Sequence, residues 1–168
     1  MPAEAWRVLP LAGDHRRADF DCGEESLNEY LRRHVAQDAR RHLTHAFVPT
    51  SVASMKVLRY YTLSATSIQR ERFPAAQAKK LPRYPIPAVL LSRLAIDVAL
   101  RGQRLGEHLL VDALKRVCRA SATIGVHTIV VDAINERAAR YCEAYGFVPL
   151  TESALTLFLP IESVLQIP

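Results

Sequence analysis

Apolar positions along this chain recur with two periods. Leu27, Leu31, Val35 and Ala39 fall every four residues, with Arg32, Arg33, Arg40 and Arg41 on other faces, which predicts an amphipathic helix. Ser26 or Asp21 is the expected cap at its start. Apolar residues at 105, 109, 113, 114 and 117 predict a longer helix from Leu105 to Ile124, ended by Gly125. Asn135 suits the N-cap of a third helix running to about Ala144, with Gly146 at its C-terminal stop. Shorter β-prone runs predict strands at Trp6–Leu11, Thr44–Thr50, Val57–Ser67, Val89–Ile96, Thr128–Val131, Phe147–Leu150 and Leu155–Leu159, with a polar turn at Ser51–Ser54. Residues 69–87 hold Pro74, Pro82, Pro85 and Pro87, which predicts a loop with at most one short helix around Ala75–Leu81. The resulting order is β-α-β-β-loop-β-α-β-α-β-β. It predicts a mixed α/β (α+β) architecture, a central sheet covered by helices, in one domain over residues 1–168.

Composition supports a packed core. Hydrophobic residues are 49% and charged residues 23% of 168, and a chain this long buries roughly two-thirds of its unfolded surface. The net charge is +5, and lysine is scarce: Lys56, Lys79, Lys80 and Lys115 stand against 18 arginines. Arginine suits bidentate phosphate recognition, although GC-rich coding alone also enriches it. Cys22, Cys118 and Cys142 have neither metal-ligand nor disulfide-framework spacing, so reduced thiols and no metal are expected. No apolar run approaches the ~20 residues that span a bilayer, and the N-terminus lacks a secretory apolar region. A cytoplasmic protein without a membrane partner is the expectation.

Two stretches carry chemistry. Arg101-Gly102-Gln103-Arg104-Leu105-Gly106 follows a buried strand and opens a long helix. Main-chain N–H groups there lack intrahelical partners, and the helix dipole favours an anion such as a pyrophosphate. The spacing fits neither a Walker loop nor a strict GxGxxG fingerprint. A plain connecting loop with two turn glycines fits the same six residues. The second stretch, Asn135, Ala138, Cys142, Gly146 and Phe147, puts its first three residues on one helical face; ordinary helix packing also accounts for it.

Together the two stretches resemble the GNAT acetyltransferase superfamily, whose first motif reads Arg/Gln-x-x-Gly-x-Gly/Ala and whose second reads Asn-x-x-Ala-x-x-x-Tyr-x-x-x-Gly-Phe. Phe20-Asp21-Cys22-Gly23-Glu24, Leu27–Leu31, Tyr60–Ser64, Pro85-Ile86-Pro87, Leu94–Asp97 and Leu157–Leu159 resemble its toxin branch. Those are enzymes of type II toxin–antitoxin pairs that acetylate aminoacyl-tRNA. The likeness runs from about Asp19 to Leu159.

The resemblance implies a GNAT-like acyltransferase fold and acetyl-CoA as co-substrate. Leu94, Ala95 and Ile96 would offer backbone groups to the pantetheine arm. Arg101, Gly102, Gln103, Arg104, Leu105, Gly106 and Glu107 would cradle the pyrophosphate, and Asn135 would touch the cofactor. Cys142 stands where the family has its catalytic tyrosine, and Arg104 replaces a motif glycine. A thiol donor is shorter and weaker than a phenol. Tyr141 is the second choice as a catalytic group, although core packing is the expectation for Tyr141 and Tyr145. His108 and His127 are expected to be structural or solvent-facing. Arg32, Arg33, Arg40, Arg41, Lys79, Lys80 and Arg83 would contact tRNA. A homodimer and a DNA-binding antitoxin of ribbon-helix-helix type are the implied partners. Two other functions stay open: acetylation of a small amine or a protein N-terminus, and a catalytically silent module that binds acyl-CoA and antitoxin.

Overall fold

The computed structural model describes residues 7–50, 55–102 and 105–166. The strands form a seven-stranded sheet in the order β1-β2-β3-β4-β5-β7-β6. They are β1 (Arg7–Pro10), β2 (His45–Thr50), β3 (Arg59–Ile68), β4 (Ile86–Ile96), β5 (Thr128–Asp132), β6 (Val148–Leu150) and β7 (Ser153–Pro160). The helices are α1 (Glu25–Glu29), α2 (Val35–Arg40), α3 (Ala75–Ala78), α4 (Leu105–Ala120), α5 (Glu136–Glu143) and α6 (Ile161–Val164). The mixed α/β order read from the pattern is observed, with one addition: α6 follows the last strand. Two compact units divide the chain: one holds the residues up to Ser64 with Arg93–Ala113, the other Ala65–Ser92 with the residues from Leu114.

In the first unit β1 and β3 flank β2 in antiparallel register, with Val8 opposite Pro49 and Phe47 opposite Tyr61. Successive residues of β3 point to opposite faces, and both faces are covered. Tyr60 meets Phe20 edge-on, centroids 5.5 Å apart, and its hydroxyl donates to the Leu27 carbonyl at 2.7 Å. Tyr61 stacks on Phe47 at 5.3 Å, and its hydroxyl donates to Asp112 of α4. Leu31, Val35, Val48, Val57 and Ala95 complete the core on the Tyr60 side.

The four-residue repeat at 27–39 does form a helical run, but with a π-helical turn at Tyr30–His34 between α1 and α2. Neither expected residue caps it. Glu24 is the N-cap and makes no side-chain bond; Asp21 instead accepts from the Gly23 N–H and the Asn28 amide.

The second unit pairs β4 with β5 in parallel, Ala88 opposite Thr128 through Leu91 opposite Val131. β7 lies antiparallel between β5 and β6. Phe73 and Phe158 pack edge-on at 4.9 Å within a core of Ile68, Ile86, Ala88, Val130 and Leu150. β4 starts at Ile86, earlier than expected, because Pro87 still serves through its carbonyl, which accepts from the His127 N–H at 2.9 Å. α4 ends at Ala120 rather than Ile124. The Ser121 and Thr123 hydroxyls bond back to the carbonyls of Cys118 and Ala120, a local alternative to helix continuation. The proline-rich segment holds only α3 and a 3-10 turn at Arg70–Arg72, and Arg70 ties it together by donating to the Ala78 carbonyl at 2.7 Å. The turn expected at Ser51–Ser54 and the first residue of the strand expected at Trp6–Leu11 lie outside the described residues.

Candidate active site

β4 delivers Leu94, Ala95 and Ile96. Ala95 is buried in the core, so only its main chain can meet a ligand. These three residues lie beyond the stretch of β4 whose register with β5 ends at Leu91. Asp97 then closes the strand. It is 6% exposed; one carboxylate oxygen caps the 3-10 turn Val98–Leu100 by accepting from the Ala99 N–H at 2.9 Å. The other accepts from the Asp21 N–H at 3.1 Å.

Gly102 follows at φ +84°. Nothing lies within 4 Å of where a Cβ would stand, so its main chain is open to an approaching group. α4 then runs 16 residues from Leu105, and the N–H groups of a helix's first turn, without intrahelical partners, are suited to an anion. Gly106 and Glu107 lie in that turn, half-buried. Gln103, Arg104 and the Leu105 side chain lie outside the described residues. Arg101 turns to the protein: its guanidinium donates to the Cys22 carbonyl at 2.9 Å.

In the second unit Asn135 is the N-cap of α5, its amide oxygen accepting from the Ala138 N–H at 2.9 Å. That oxygen takes one bond from the helix, and the amide nitrogen presents two donors. α5 ends in a Schellman-type turn: the Gly146 N–H donates to the Glu143 carbonyl at 2.9 Å, and the Phe147 N–H to the Cys142 carbonyl at 3.3 Å. Cys142 is half-buried on this helix. Burial, assisted by the Glu143 charge, pushes its thiol up to about 11, near the ~10 of an ordinary phenol. The expected core packing of Tyr141 does not hold: its ring is 40% exposed and meets the half-buried Tyr145 ring at 5.4 Å between centroids. His108 and His127 are exposed, as one of their two readings had it.

The basic residues divide into paired and open ones. Arg32 contacts Glu25 at 3.2 Å and the Asn28 carbonyl, and Arg33 contacts Glu29 at 3.7 Å. Arg40 and Arg41 are exposed at the end of α2; Lys79, Lys80 and Arg83 are exposed in the proline-rich segment.

Residues that the pattern missed surround the first unit's turns. The Arg93 guanidinium lies 3.4 Å from the Tyr30 ring centroid, and Tyr30 donates to Asp38 at 2.8 Å. Burial and that bond push the Tyr30 phenol up to about 12. Arg59 is buried near Asp112, whose charge opposes the downward pull of burial on the guanidinium. Polar residues inside a β-rich run were the only signal. Among the described residues no His/Cys/Asp/Glu group could hold a metal, and no helix is long and apolar enough to cross a membrane.

No protein-family model matches the chain. A tRNA-acetylating toxin of Mycobacterium tuberculosis is 33% identical over 128 residues, covering 76% of this chain and 75% of the relative. A crystal structure of a tyrosine-to-phenylalanine variant of KacT matches with a TM-score of 0.90 at 33% identity, over 96% of this chain and 98% of that one. AtaT complexed with acetyl-methionyl-tRNAfMet matches with a TM-score of 0.88 at 35% identity, over 95% and 96%. AtaT has also been solved bound to the C-terminus of its antitoxin AtaR with acetyl-CoA, and in an AtaT–AtaR complex on DNA. The chain belongs to the GNAT-fold tRNA-acetylating toxins of toxin–antitoxin systems.

Proposed function

We propose that this protein is an acetyl-CoA-dependent N-acetyltransferase toxin. It acetylates the amino group of aminoacyl-tRNA, and a cognate antitoxin relieves the block on translation. The observation that carries this reading is the open main chain at Gly102 leading into α4. It is an anion seat at the end of a buried strand, in a chain whose relatives include AtaT with its acetylated tRNA.

The main chain from Gly102 to Glu107 cradles the pyrophosphate, Leu94–Ile96 offer backbone groups to the pantetheine arm, and Asn135 contributes its amide. The aminoacyl amine is ester-linked at its carboxyl end and so less basic than a lysine. It attacks the acetyl carbonyl as a neutral nucleophile without a strong protein base. The carbon–sulfur bond breaks, and the CoA thiolate leaves with the electron pair. Cys142 gives that sulfur a proton; the proton that the nitrogen sheds as it becomes an amide passes to water, and Cys142 is reprotonated from there. Its thiol, pushed up to about 11, is protonated at neutral pH with an acidity close to that of an ordinary phenol. Tyr141 is the second choice for this role. Arg40, Arg41, Lys79, Lys80 and Arg83 contact phosphates, and Arg32 and Arg33 join after release from Glu25 and Glu29. The protein acts as one domain and a homodimer in the cytoplasm, and a ribbon-helix-helix antitoxin brings it to DNA.

The test charges bulk tRNA with mixed amino acids, adds labelled acetyl-CoA, and reads acetylated aminoacyl-adenosine by mass. Wild type is expected to acetylate. Cys142→Ala is expected to lose about 10²- to 10⁴-fold in rate, and Cys142→Tyr to retain activity. Wild type that modifies only free amines overturns the tRNA reading. Wild type that binds acetyl-CoA without turnover, beside an active Cys142→Tyr, overturns the role of Cys142.

A further inference from the structure

Two turns 76 residues apart in sequence are stitched together in the first unit. The Asp21 N–H donates to Asp97 at 3.1 Å, the Val98 N–H donates to the Asp21 carbonyl at 2.8 Å, and the Arg101 guanidinium donates to the Cys22 carbonyl at 2.9 Å. The first turn is also braced from within. Asp21 accepts from the Gly23 N–H at 2.9 Å and from the Asn28 amide at 3.0 Å, and the Asn28 amide oxygen accepts from the Cys22 N–H at 2.8 Å.

Arg101 lies directly on Gly23. A Cβ built there would stand 2.5 Å from Arg101 Nη2 and 3.6 Å from Cζ, and Gly23 has φ +89°. Only glycine fits this contact without displacing the guanidinium. α1 begins two residues later, and the helical run it opens carries Arg32, Arg33, Arg40 and, just after it, Arg41.

We propose that Arg101 is a positioning residue that clamps the Asp21–Glu24 turn, and with it the start of the arginine-bearing helix, onto the turn that receives acetyl-CoA. This rests on the acetyltransferase reading above and departs from it at one residue. The resemblance would put the Arg101 side chain on the pyrophosphate; in the proposed arrangement that group falls to the main chain at Gly102 and the first turn of α4, and the guanidinium holds the start of the arginine-bearing helix. A guanidinium suits the task because it stays charged and its fixed planar fork loses little freedom on binding a carbonyl.

The two assignments differ in the protein without ligand. A pyrophosphate ligand has no influence on amides at positions 21–23 when no CoA is present; a clamp does. For Arg101→Gln, amide exchange at Asp21, Cys22 and Gly23 in the free protein is expected to rise at least tenfold. The calorimetric Kd for CoA is expected to stay within threefold. kcat/KM for aminoacyl-tRNA is expected to fall at least tenfold, with the KM for acetyl-CoA nearly unchanged.

Gly23→Ala is expected to reproduce this, because its Cβ displaces the guanidinium. The double variant is expected to be no worse than the poorer single one, since both break one contact. Unchanged exchange in Arg101→Gln overturns the clamp, as does a tenfold rise in the Kd for CoA or full additivity in the double variant. A wild type without acetyltransferase activity overturns the functional reading instead, and the exchange and calorimetry arms still decide the clamp.

Discussion

The turn at Asp97–Gly102, where the first family motif begins, and the helix at Asn135–Gly146, which carries the second, are held in opposite ways. The second is secured from within. Asn135 caps Ala138 three residues on, and Gly146 and Phe147 close the far end on Glu143 and Cys142. Every one of those bonds spans five residues or fewer. The first is secured from far away, because Asp97 and Arg101 reach residues 76 and 79 positions back in sequence. A locally closed element keeps its shape wherever its helix goes. A remotely tied turn fixes its distant partner as well as itself: Asp97 and Arg101 hold the Asp21–Glu24 turn, whereas the main chain at Gly102 and the first turn of α4 keep their own local bonds and do not depend on that tie.

The comparison breaks most sharply at Asp97. Asp97→Ala removes two hydrogen bonds to a charged acceptor in a nearly buried site, and is expected to cost about 3 kcal/mol. Urea denaturation measures the loss, and amide exchange in both turns is expected to rise in the same variant. Gly146→Ala tests the local element. The added Cβ would meet only Leu159 Cδ1, at an ordinary 3.6 Å, so the expense is the φ of +98°. About 1–2 kcal/mol is expected, with the exchange confined to the end of α5. Equal losses, or exchange in α5 spreading to β4, would erase the distinction.

The smallest effect concerns Cys142. Burial raises its folded-state pKa from 9.0 to about 11. Between these values the unfolded chain has lost a proton that the folded chain keeps, so this group's contribution falls as pH rises through that window and is constant below it. Alkylation of Cys142, followed by peptide mass, is expected to show a midpoint near 11. A midpoint at the ordinary thiol value would mean that α5 opens readily and is not the self-contained element described.

The same contrast explains what the amino-acid sequence made legible. α5 was readable to within a residue because its cap and stop lie a few positions from what they satisfy. The order of elements along the chain and the mixed fold followed from periodicity and turn residues, whereas the order of strands in the sheet did not. The destination of Arg101 was not readable, because a guanidinium next to a glycine turn looks the same whether it meets a phosphate or a carbonyl far back in the chain. Tyr141 misled for a related reason: an aromatic residue beside buried positions suggests core, and only the helix's orientation shows that the ring is open. The α4 boundary was overrun because hydroxyls that bond back to the helix leave apolar neighbours in phase. Cys142 was locatable by its distance from Gly146, whereas the burial that gives its thiol a phenol-like acidity belongs to the folded state.

The π-helical turn at Tyr30–His34 has a consequence for insertions and deletions. An α-helix advances about 100° per residue, so residues four apart drift about 40° per step. Three steps from Leu27 to Ala39 would carry a straight helix about 120° off the core. The wider turn absorbs one residue of that drift, which is how both Leu31 and Val35 stay buried. Loss of a single residue between Tyr30 and His34 would restore an ordinary helix and leave the faces before and after it in their present relation, because the wide turn holds one residue more than an α-helical turn. Forcing α-helical geometry on the segment at its present length would instead rotate everything after it by about 100°. Val35 would then leave the core, and Arg40 and Arg41 would swing to another side. The wide turn thus tolerates a one-codon deletion, whereas a change that closes it without removing a residue shifts the register.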